Sequence, residues 1–319
     1  MNIEAGISVV VPVYRSELTL HELVNRVSTS ITDQNFEIIL VDDASGDGTW
    51  QKISQICELY SNVRGIRLGR NSGQQAALLA GVRLAKFSVV VTMDDDLQNP
   101  PEEIPKLVKA LTENIDVVCG ISTKVQQSFY RRLGSKFSRG IISSLLGFRE
   151  LASMSSFRAF RTTMRNGFDS QLGPNISLDA LLTWSTSRFG TTEVRHDMRL
   201  KGDSNYSPRK LIRFMIDIAT GYSILPLRLA SYIGLITVIF GLSLMSFILA
   251  GPFVFGIEVP GFALLGSSIT LFAGVQIMAL GTIGEYLGKI HFRVMNKPTY
   301  VVTELIGTNS VMDNQSQNL

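Results

Sequence analysis

Two long stretches without a charged residue constrain this chain more than any other feature. Residues 229–250 carry no charge over 22 positions and residues 259–284 none over 26. At about 1.5 Å of rise per residue, either stretch can cross a hydrocarbon core of about 30 Å as a helix. Two such runs side by side with basic flanks argue against a pair of buried helices in a large soluble domain. The connecting residues 251–258 hold no Lys or Arg, whereas Arg209, Lys210, Arg213 and Arg228 precede the first run and Lys289, Arg293 and Lys297 follow the second. Lys and Arg collect on the cytoplasmic side of spans, so the expected arrangement is a two-span hairpin over 229–284. Its short loop is expected outside, with both flanks and both termini in the cytoplasm. Residues 207–222 combine Leu211, Phe214, Met215 and Ile218 at helical spacing with Arg209, Lys210 and Arg213. Residues 204–228 are therefore expected to lie in the membrane interface. Residues 285–319 are expected to form a cytoplasmic tail, polar and disordered beyond Glu304.

Ahead of the apolar third, strand and helix signals alternate. Apolar runs at 7–11, 36–41, 63–68, 88–93 and 116–120 are separated by helical stretches at 18–31, 49–60, 73–85 and 101–111. Uninterrupted apolar runs are the mark of buried parallel strands, and the alternation predicts an α/β domain over residues 1–203, a mostly parallel sheet flanked by helices. Polar residues gather directly after three of these runs, at 14–17, 42–47 and 94–98. Ligands of open α/β sheets bind at the carboxyl ends of strands, so three distant segments are expected to converge on one crevice. A net charge of +3 is too small to suggest a nucleic-acid partner. Cys57 and Cys119 both fall in predicted core elements, which speaks against a disulfide framework and fits a reducing compartment. The chain opens without a basic, then apolar, leader pattern, which also suits a cytosolic first domain.

The most informative run is Met93-Asp94-Asp95-Asp96-Leu97-Gln98-Asn99-Pro100-Pro101-Glu102-Glu103. Three adjacent carboxylates at the end of a buried strand repel one another unless a cation shares the site. Hard cations such as Mg²⁺ or Mn²⁺ take oxygen ligands, commonly one or two carboxylates plus substrate phosphates. On an extended segment Asp94 and Asp96 face one side and Asp95 the other. A solvated acidic loop is the plainer reading of this run alone. The run Asp42-Asp43-Ala44-Ser45-Gly46-Asp47-Gly48-Thr49 permits a tight turn, with Asp47 or Thr49 placed to cap the next helix and Asp42 or Asp43 placed to accept from a ribose or base. Pro12-Val13-Tyr14-Arg15-Ser16-Glu17 adds an aromatic ring and a carboxylate suited to a nucleobase.

Together these residues resemble the family 2 glycosyltransferases of the GT-A fold, in the branch that acts on polyprenyl phosphates and includes dolichyl-phosphate mannose synthase, bactoprenol glucosyltransferases and undecaprenyl-phosphate aminoarabinose-type transferases. The resemblance spans residues 7–302. It adds Arg70-Asn71-Ser72-Gly73-Gln74, Phe157-Arg158-Ala159-Phe160-Arg161, Arg199-Leu200-Lys201-Gly202-Asp203-Ser204 and Gly284-Glu285-Tyr286-Leu287-Gly288 to the motifs above. It implies inverting transfer of a sugar from a nucleotide donor, UDP-linked by expectation, to a polyprenyl phosphate at a bacterial inner or plasma membrane, for modification of cell-envelope glycans. By the same resemblance, Asp94 and Asp96 are the catalytic pair, and with Gln98 they hold Mg²⁺ or Mn²⁺ and the diphosphate. Pro12, Tyr14, Glu17, Asp43, Ser45, Gln74 and Asp95 are expected on the nucleotide-sugar side. Three positions depart from the branch: Ala152 stands where an Asp is common, Asn205 where a Lys is common, and Ser122 to Lys124 where some members have an Arg.

Arg132, Lys136 and Arg139 fall on one face of a predicted helix, beside an apolar stripe of Phe129, Leu133, Phe137 and Ile141. A basic face next to an apolar one suits a lipid phosphate and its chain, and Arg can bind two phosphate oxygens at once. Arg199 and Ser204 are the second candidates for that acceptor phosphate. A processive polysaccharide synthase is disfavoured because Trp50 and Trp184 are the only tryptophans and neither sits in a Gln-x-x-Arg-Trp motif. A catalytically silent lipid- or nucleotide-binding protein is favoured by Ala152 alone. An oxidoreductase would call for a Gly-x-Gly-x-x-Gly after the first strand, which is absent. The sugar and any homo-oligomer are left open.

Overall fold

A computed structural model describes residues 3–122, 155–168, 177–197, 225–254, 261–295 and 298–307. Arg132, Lys136, Arg139, Ala152, Arg199, Ser204 and the helix expected at 207–222 lie outside the described residues. The chain divides into two units, residues 1–205 with 296–319, and residues 206–295.

The first unit is built on strands β1 (Glu4–Val13), β2 (Phe36–Asp42), β3 (Val63–Leu68), β4 (Phe87–Thr92), β5 (Val117–Ser122), β6 (Arg158–Arg161), β7 (Phe189–Val194) and β8 (Val302–Ile306). They form one sheet in the order β7-β5-β6-β4-β1-β2-β3-β8. Pairs β1–β2, β1–β4, β2–β3 and β5–β7 are parallel, while β6 runs antiparallel to β4 and β5, and β8 antiparallel to β3. Helices α1 (Leu20–Ser30), α2 (Thr49–Leu59), α3 (Gln74–Leu84), α4 (Ile104–Lys109) and α5 (Leu178–Ser185) cover both faces.

Alternation along β1 shows how one chain feeds two layers. Ile7, Val9, Val11 and Val13 pack with Leu23 and Val27 of α1, Ile53 of α2 and Leu107 of α4. Val10 packs on the other face with Ala77, Ala80 and Val82 of α3 and Leu181 of α5. The alanine-rich α3 lies over the sheet's centre, where small side chains let a helix approach closely. The expected three-layer α/β domain with a mostly parallel sheet is thus present, and both cysteines are free and buried in it.

β1 is the switch strand: β2 and β3 extend the sheet to one side of it and β4 to the other. Register places Val13 opposite Asp42 and Val10 opposite Thr92, so these strands end together. The Asp43 N–H continues to the Val13 carbonyl at 3.0 Å and the Met93 N–H to the Val10 carbonyl at 3.2 Å.

One expectation is corrected here. The segment after the apolar third is not a free tail throughout, because residues 302–306 form edge strand β8 of the first unit's sheet. Four of its five residues pair with β3 across more than 230 positions of sequence, and the Gly69 N–H donating to the Val301 carbonyl at 2.9 Å extends the contact.

The second unit contains α6 (Leu225–Val254) and α7 (Gly261–Val294). α7 runs beyond the expected end of the second span at 284. Gly241 of α6 lies so close to the Phe272 ring of α7 that a β-carbon there would collide with it. Among the described residues, Leu271–Gly288 of α7 is long and apolar enough to cross a membrane, and α6 carries a shorter apolar stretch, Leu227–Ser243. Leu235, Ile236, Phe240 and Leu242 of α6 and Leu265, Ile269, Ile277 and Leu280 of α7 are exposed, a density of apolar surface that monomeric soluble proteins rarely present.

Candidate active site

The loops after β1, β2, β3 and β4 are tied into one cluster by side chains that the strand ends deliver. After β1, Arg15 adopts a left-handed φ of 56° and its guanidinium lies 5.2 Å from the centre of the Tyr14 ring. The ring is 45% exposed, so an aromatic face remains open to a ligand. The Arg15 N–H donates to Ser45 Oγ at 3.0 Å, and the Ser16 N–H to Thr49 Oγ1 at 3.2 Å. Pro12 is buried within β1, opposite Val41. It shapes the strand end from which Tyr14 follows. Glu17 is exposed, its carboxylate against Gly48 at the start of α2.

After β2, the two aspartates divide their work. Asp42 Oδ1 accepts from the Ser45 N–H at 3.1 Å and from the Ser45 hydroxyl. Asp43 accepts from the Ser72 N–H at 2.7 Å and the Gly73 N–H at 2.8 Å, which fastens the loop after β3 to the loop after β2. Burial raises the Asp43 carboxyl above its ordinary range, the two N–H donors oppose this, and the neighbouring Asp42 charge adds to it. Thr49 N–H donates to Asp47 Oδ1 at 3.0 Å, so Asp47 is the residue that satisfies the start of α2. Asp43 and Ser45 are buried and spend these oxygens on the protein. They organise the loop; Tyr14, Glu17 and Gln74 are the members of the expected nucleotide set that remain exposed beside it.

After β4, Asp94 and Asp95 turn to different neighbours. Asp94 Oδ1 accepts from Gln74 Nε2 at 2.6 Å and Oδ2 from Ser156 Oγ at 2.5 Å. Asp95 Oδ2 accepts from Ser16 Oγ and from the Tyr14 N–H at 3.4 Å. Asp96 Oδ1 accepts from the Gln98 N–H at 3.1 Å, and the Gln98 carbonyl from the Asp197 N–H at 2.8 Å, so Gln98 joins the site through its backbone. Burial first, then the Asp96 charge, pushes the Asp94 carboxyl up, against the Ser156 hydrogen bond and the Arg158 charge. Burial pushes Asp95 up to about 6 despite its bonds from Ser16 and Tyr14.

This donor set fits a hard divalent cation. The groups are carboxylate oxygens, and they crowd one another electrostatically.

Several contributors escaped the sequence reading. Arg158 is 1% exposed, paired with Asp179 of α5, and donates through Nε to Thr92 Oγ1 at 3.3 Å. It was visible only as part of a motif after the sheet. Ser16 and Ser72, inside the motifs that follow β1 and β3, and Ser156, outside any motif, hold the acidic groups with a hydroxyl or an amide. Gln75 fixes α5 by accepting from the Leu178 N–H at 2.9 Å.

Comparison with known proteins agrees with this geometry. Residues 8–169 match the model of a family described as Glycosyl transferase family 2. An undecaprenyl-phosphate 4-deoxy-4-formamido-L-arabinose transferase of Proteus mirabilis is 34% identical over 318 residues, 98% of this chain and 97% of that protein. A protein of the same name from Aeromonas hydrophila is 32% identical over 305 residues, 94% of each. The structure of glucosyl-3-phosphoglycerate synthase from Mycobacterium tuberculosis, solved with Mn²⁺ and uridine-diphosphate-glucose, aligns with a TM-score of 0.50 at 17% identity over 68% of this chain and 77% of that one, a likeness of fold.

Proposed function

The chain belongs to glycosyl transferase family 2, and from that premise we propose that it transfers a single sugar from a nucleotide donor to undecaprenyl phosphate at the cytoplasmic face of a bacterial inner membrane. The observation that carries this reading is the convergence of the Tyr14, Asp43, Gln74 and Asp94–Asp96 loops at the carboxyl ends of adjacent strands, in a chain similar end to end to undecaprenyl-phosphate transferases. Tyr14, with Arg15 beside it, offers a face for the nucleobase, and Glu17 an exposed carboxylate close by. Asp94, Asp96 and Gln98 would hold Mg²⁺ or Mn²⁺ together with the diphosphate. When bound, the cation supplies Lewis-acid stabilisation of the departing diphosphate.

The remaining chemistry is positioning. A lipid phosphate is already largely ionised at neutral pH, so the nucleophile needs alignment with the anomeric carbon more than deprotonation. Direct attack inverts that centre and needs no covalent glycosyl-enzyme. Gln74 and Ser156 set the orientation of Asp94, and Asp95 locks the base-binding loop to the acidic loop. Arg132, Lys136, Arg139, Arg199 and Ser204 are the proposed acceptor-phosphate ligands.

Connectivity supports the two-span hairpin. β8 follows α7 in sequence yet pairs with β3 of the sheet that precedes α6. A chain that leaves one folded domain and returns to it crosses a membrane an even number of times.

The sugar to test first is 4-deoxy-4-formamido-L-arabinose as its uridine diphosphate, because relatives at 32–34% identity carry that name. Radiolabelled nucleotide sugars, incubated with the protein and undecaprenyl phosphate, should leave label extractable into organic solvent. Failure of every nucleotide sugar to do so overturns the reaction class; success with UDP-glucose alone overturns the sugar.

A further inference from the structure

β8 brings one carboxylate, Glu304, to two elements that frame the nucleotide side. Glu304 Oε1 accepts from Arg67 Nη1 at 2.6 Å, and Oε2 from Trp50 Nε1 at 2.9 Å. Arg67 sits on β3 with its guanidinium 5.7 Å from the centre of the Trp50 ring, and Trp50 is the second residue of α2. The same guanidinium reaches inward, Nε lying 3.8 Å from Asp42 Oδ2.

Asp42 makes this contact consequential. Its side chain is buried, Oδ1 is spent on Ser45, and Oδ2 is buried without a hydrogen-bond partner. A buried carboxylate oxygen left in that state is costly unless a cation stands close. Arg67 is that cation, and Asp42 is the residue that folds the 42–48 loop back on itself. From Ser45 the connection passes to the Arg15 N–H at 3.0 Å and so to the Tyr14 ring. An exposed Arg–Glu pair alone is worth little. Here Glu304 keeps a half-exposed arginine from swinging into solvent, and the buried partner of that arginine is what holds the loop.

We propose that Glu304 and Arg67 are positioning residues for donor recognition, through which the strand following the membrane helices sets the loop that carries Asp42, Asp43 and Ser45. The proposal rests on the nucleotide-sugar reading of that loop. It assigns a role to Glu304, which was expected to lie in a tail.

The test uses the full chain in lipid or detergent with Glu304→Ala, Glu304→Gln and Arg67→Met. Backbone amide exchange at residues 42–48 is read without ligand, alongside KM for the nucleotide sugar, KM for undecaprenyl phosphate, kcat and thermal stability. Glu304→Ala and Arg67→Met are expected to accelerate exchange at 42–48 and to raise the donor KM by roughly three- to tenfold, leaving kcat and the lipid KM nearly unchanged. Glu304→Gln keeps an acceptor for Trp50 and should fall between. If Glu304→Ala fails to fold, Glu304→Gln carries the same readouts. Lower thermal stability with unchanged exchange and donor KM would overturn the proposal and leave β8 a purely structural edge. A chain that transferred no sugar would refute the function proposed above, yet exchange at 42–48 would still decide this one.

Discussion

Asp94, Asp95 and Asp96 stand next to one another and do different things. Asp94 is oriented by Gln74 and Ser156, Asp95 by Ser16 and the Tyr14 N–H, and Asp96 by the Gln98 N–H. Asp94→Asn or Asp96→Asn should therefore cut turnover by roughly 100-fold or more while leaving the melting temperature almost unchanged, since both lie past a strand end. Near-normal turnover in Asp96→Asn would remove the metal assignment. Asp116 shows the opposite case, a carboxylate that serves stability. Burial works to raise its pKa, but hydrogen bonds from Arg188 and Thr186 and the charges of Arg188 and Arg161 outweigh it and hold the carboxyl below its ordinary range. The unfolded chain then binds the proton first, so the stability Asp116 lends is complete above about pH 4 and is lost as pH falls through the lower folded value. Denaturant melts followed by Trp50 and Trp184 fluorescence should show the gap between parent and Asp116→Asn shrinking below about pH 4. A gap that stays constant through this range contradicts the assignment. At this scale the sequence displayed the carboxylates, because three acidic residues after an apolar run are conspicuous. It hid their partners, because Ser16, Ser156 and the Arg158–Asp179 pair meet only through the fold.

At the scale of elements, the parallel strands were legible because burial on both faces leaves continuous apolar runs, and the helices between them because their apolar positions recur at helical spacing. β8 was not, for a physical reason. It is short and at an edge, three of its five residues are exposed, and its partner β3 lies more than 230 residues earlier. The loop from β3 into α3 offers a sharp test of how elements place site groups. Gly73 has a φ of 91° and a ψ of 156°, a region open essentially only to glycine that costs other residues about 1–3 kcal/mol. It precedes Gln74 directly and its N–H donates to Asp43. Gly73→Ala should lower stability by about that amount and raise the donor KM, because relaxing the strain moves Gln74 away from Asp94. An Ala variant with parental kinetics would show that this turn does not position the site.

Across the whole molecule, one chain leaves the sheet, forms two apolar helices and rejoins the sheet. The positive flanks on both sides of the apolar third were readable from sequence; the return of the chain into the sheet was not, and it brings residues 302–306 back to the domain that precedes the apolar helices. A Ser316→Cys variant should resist membrane-impermeant thiol reagents added outside intact cells and react once the cells are opened. Labelling from outside would overturn the topology. The proposed acceptor ligands Arg132, Lys136 and Arg139 were read from spacing alone, and Arg199 and Ser204 from resemblance. The central claim is transfer of sugar to a polyprenyl phosphate at the acidic loop, and mass spectrometry of the lipid product tests it most directly. Purified protein given undecaprenyl phosphate, a nucleotide sugar and Mn²⁺ should yield undecaprenyl-phosphate sugar with release of the nucleoside diphosphate. Asp96→Asn, or the parent with a chelator, should yield almost none. A parent that makes no lipid-linked sugar from any nucleotide sugar, or an Asp96→Asn protein that makes it at the parental rate, would contradict the account.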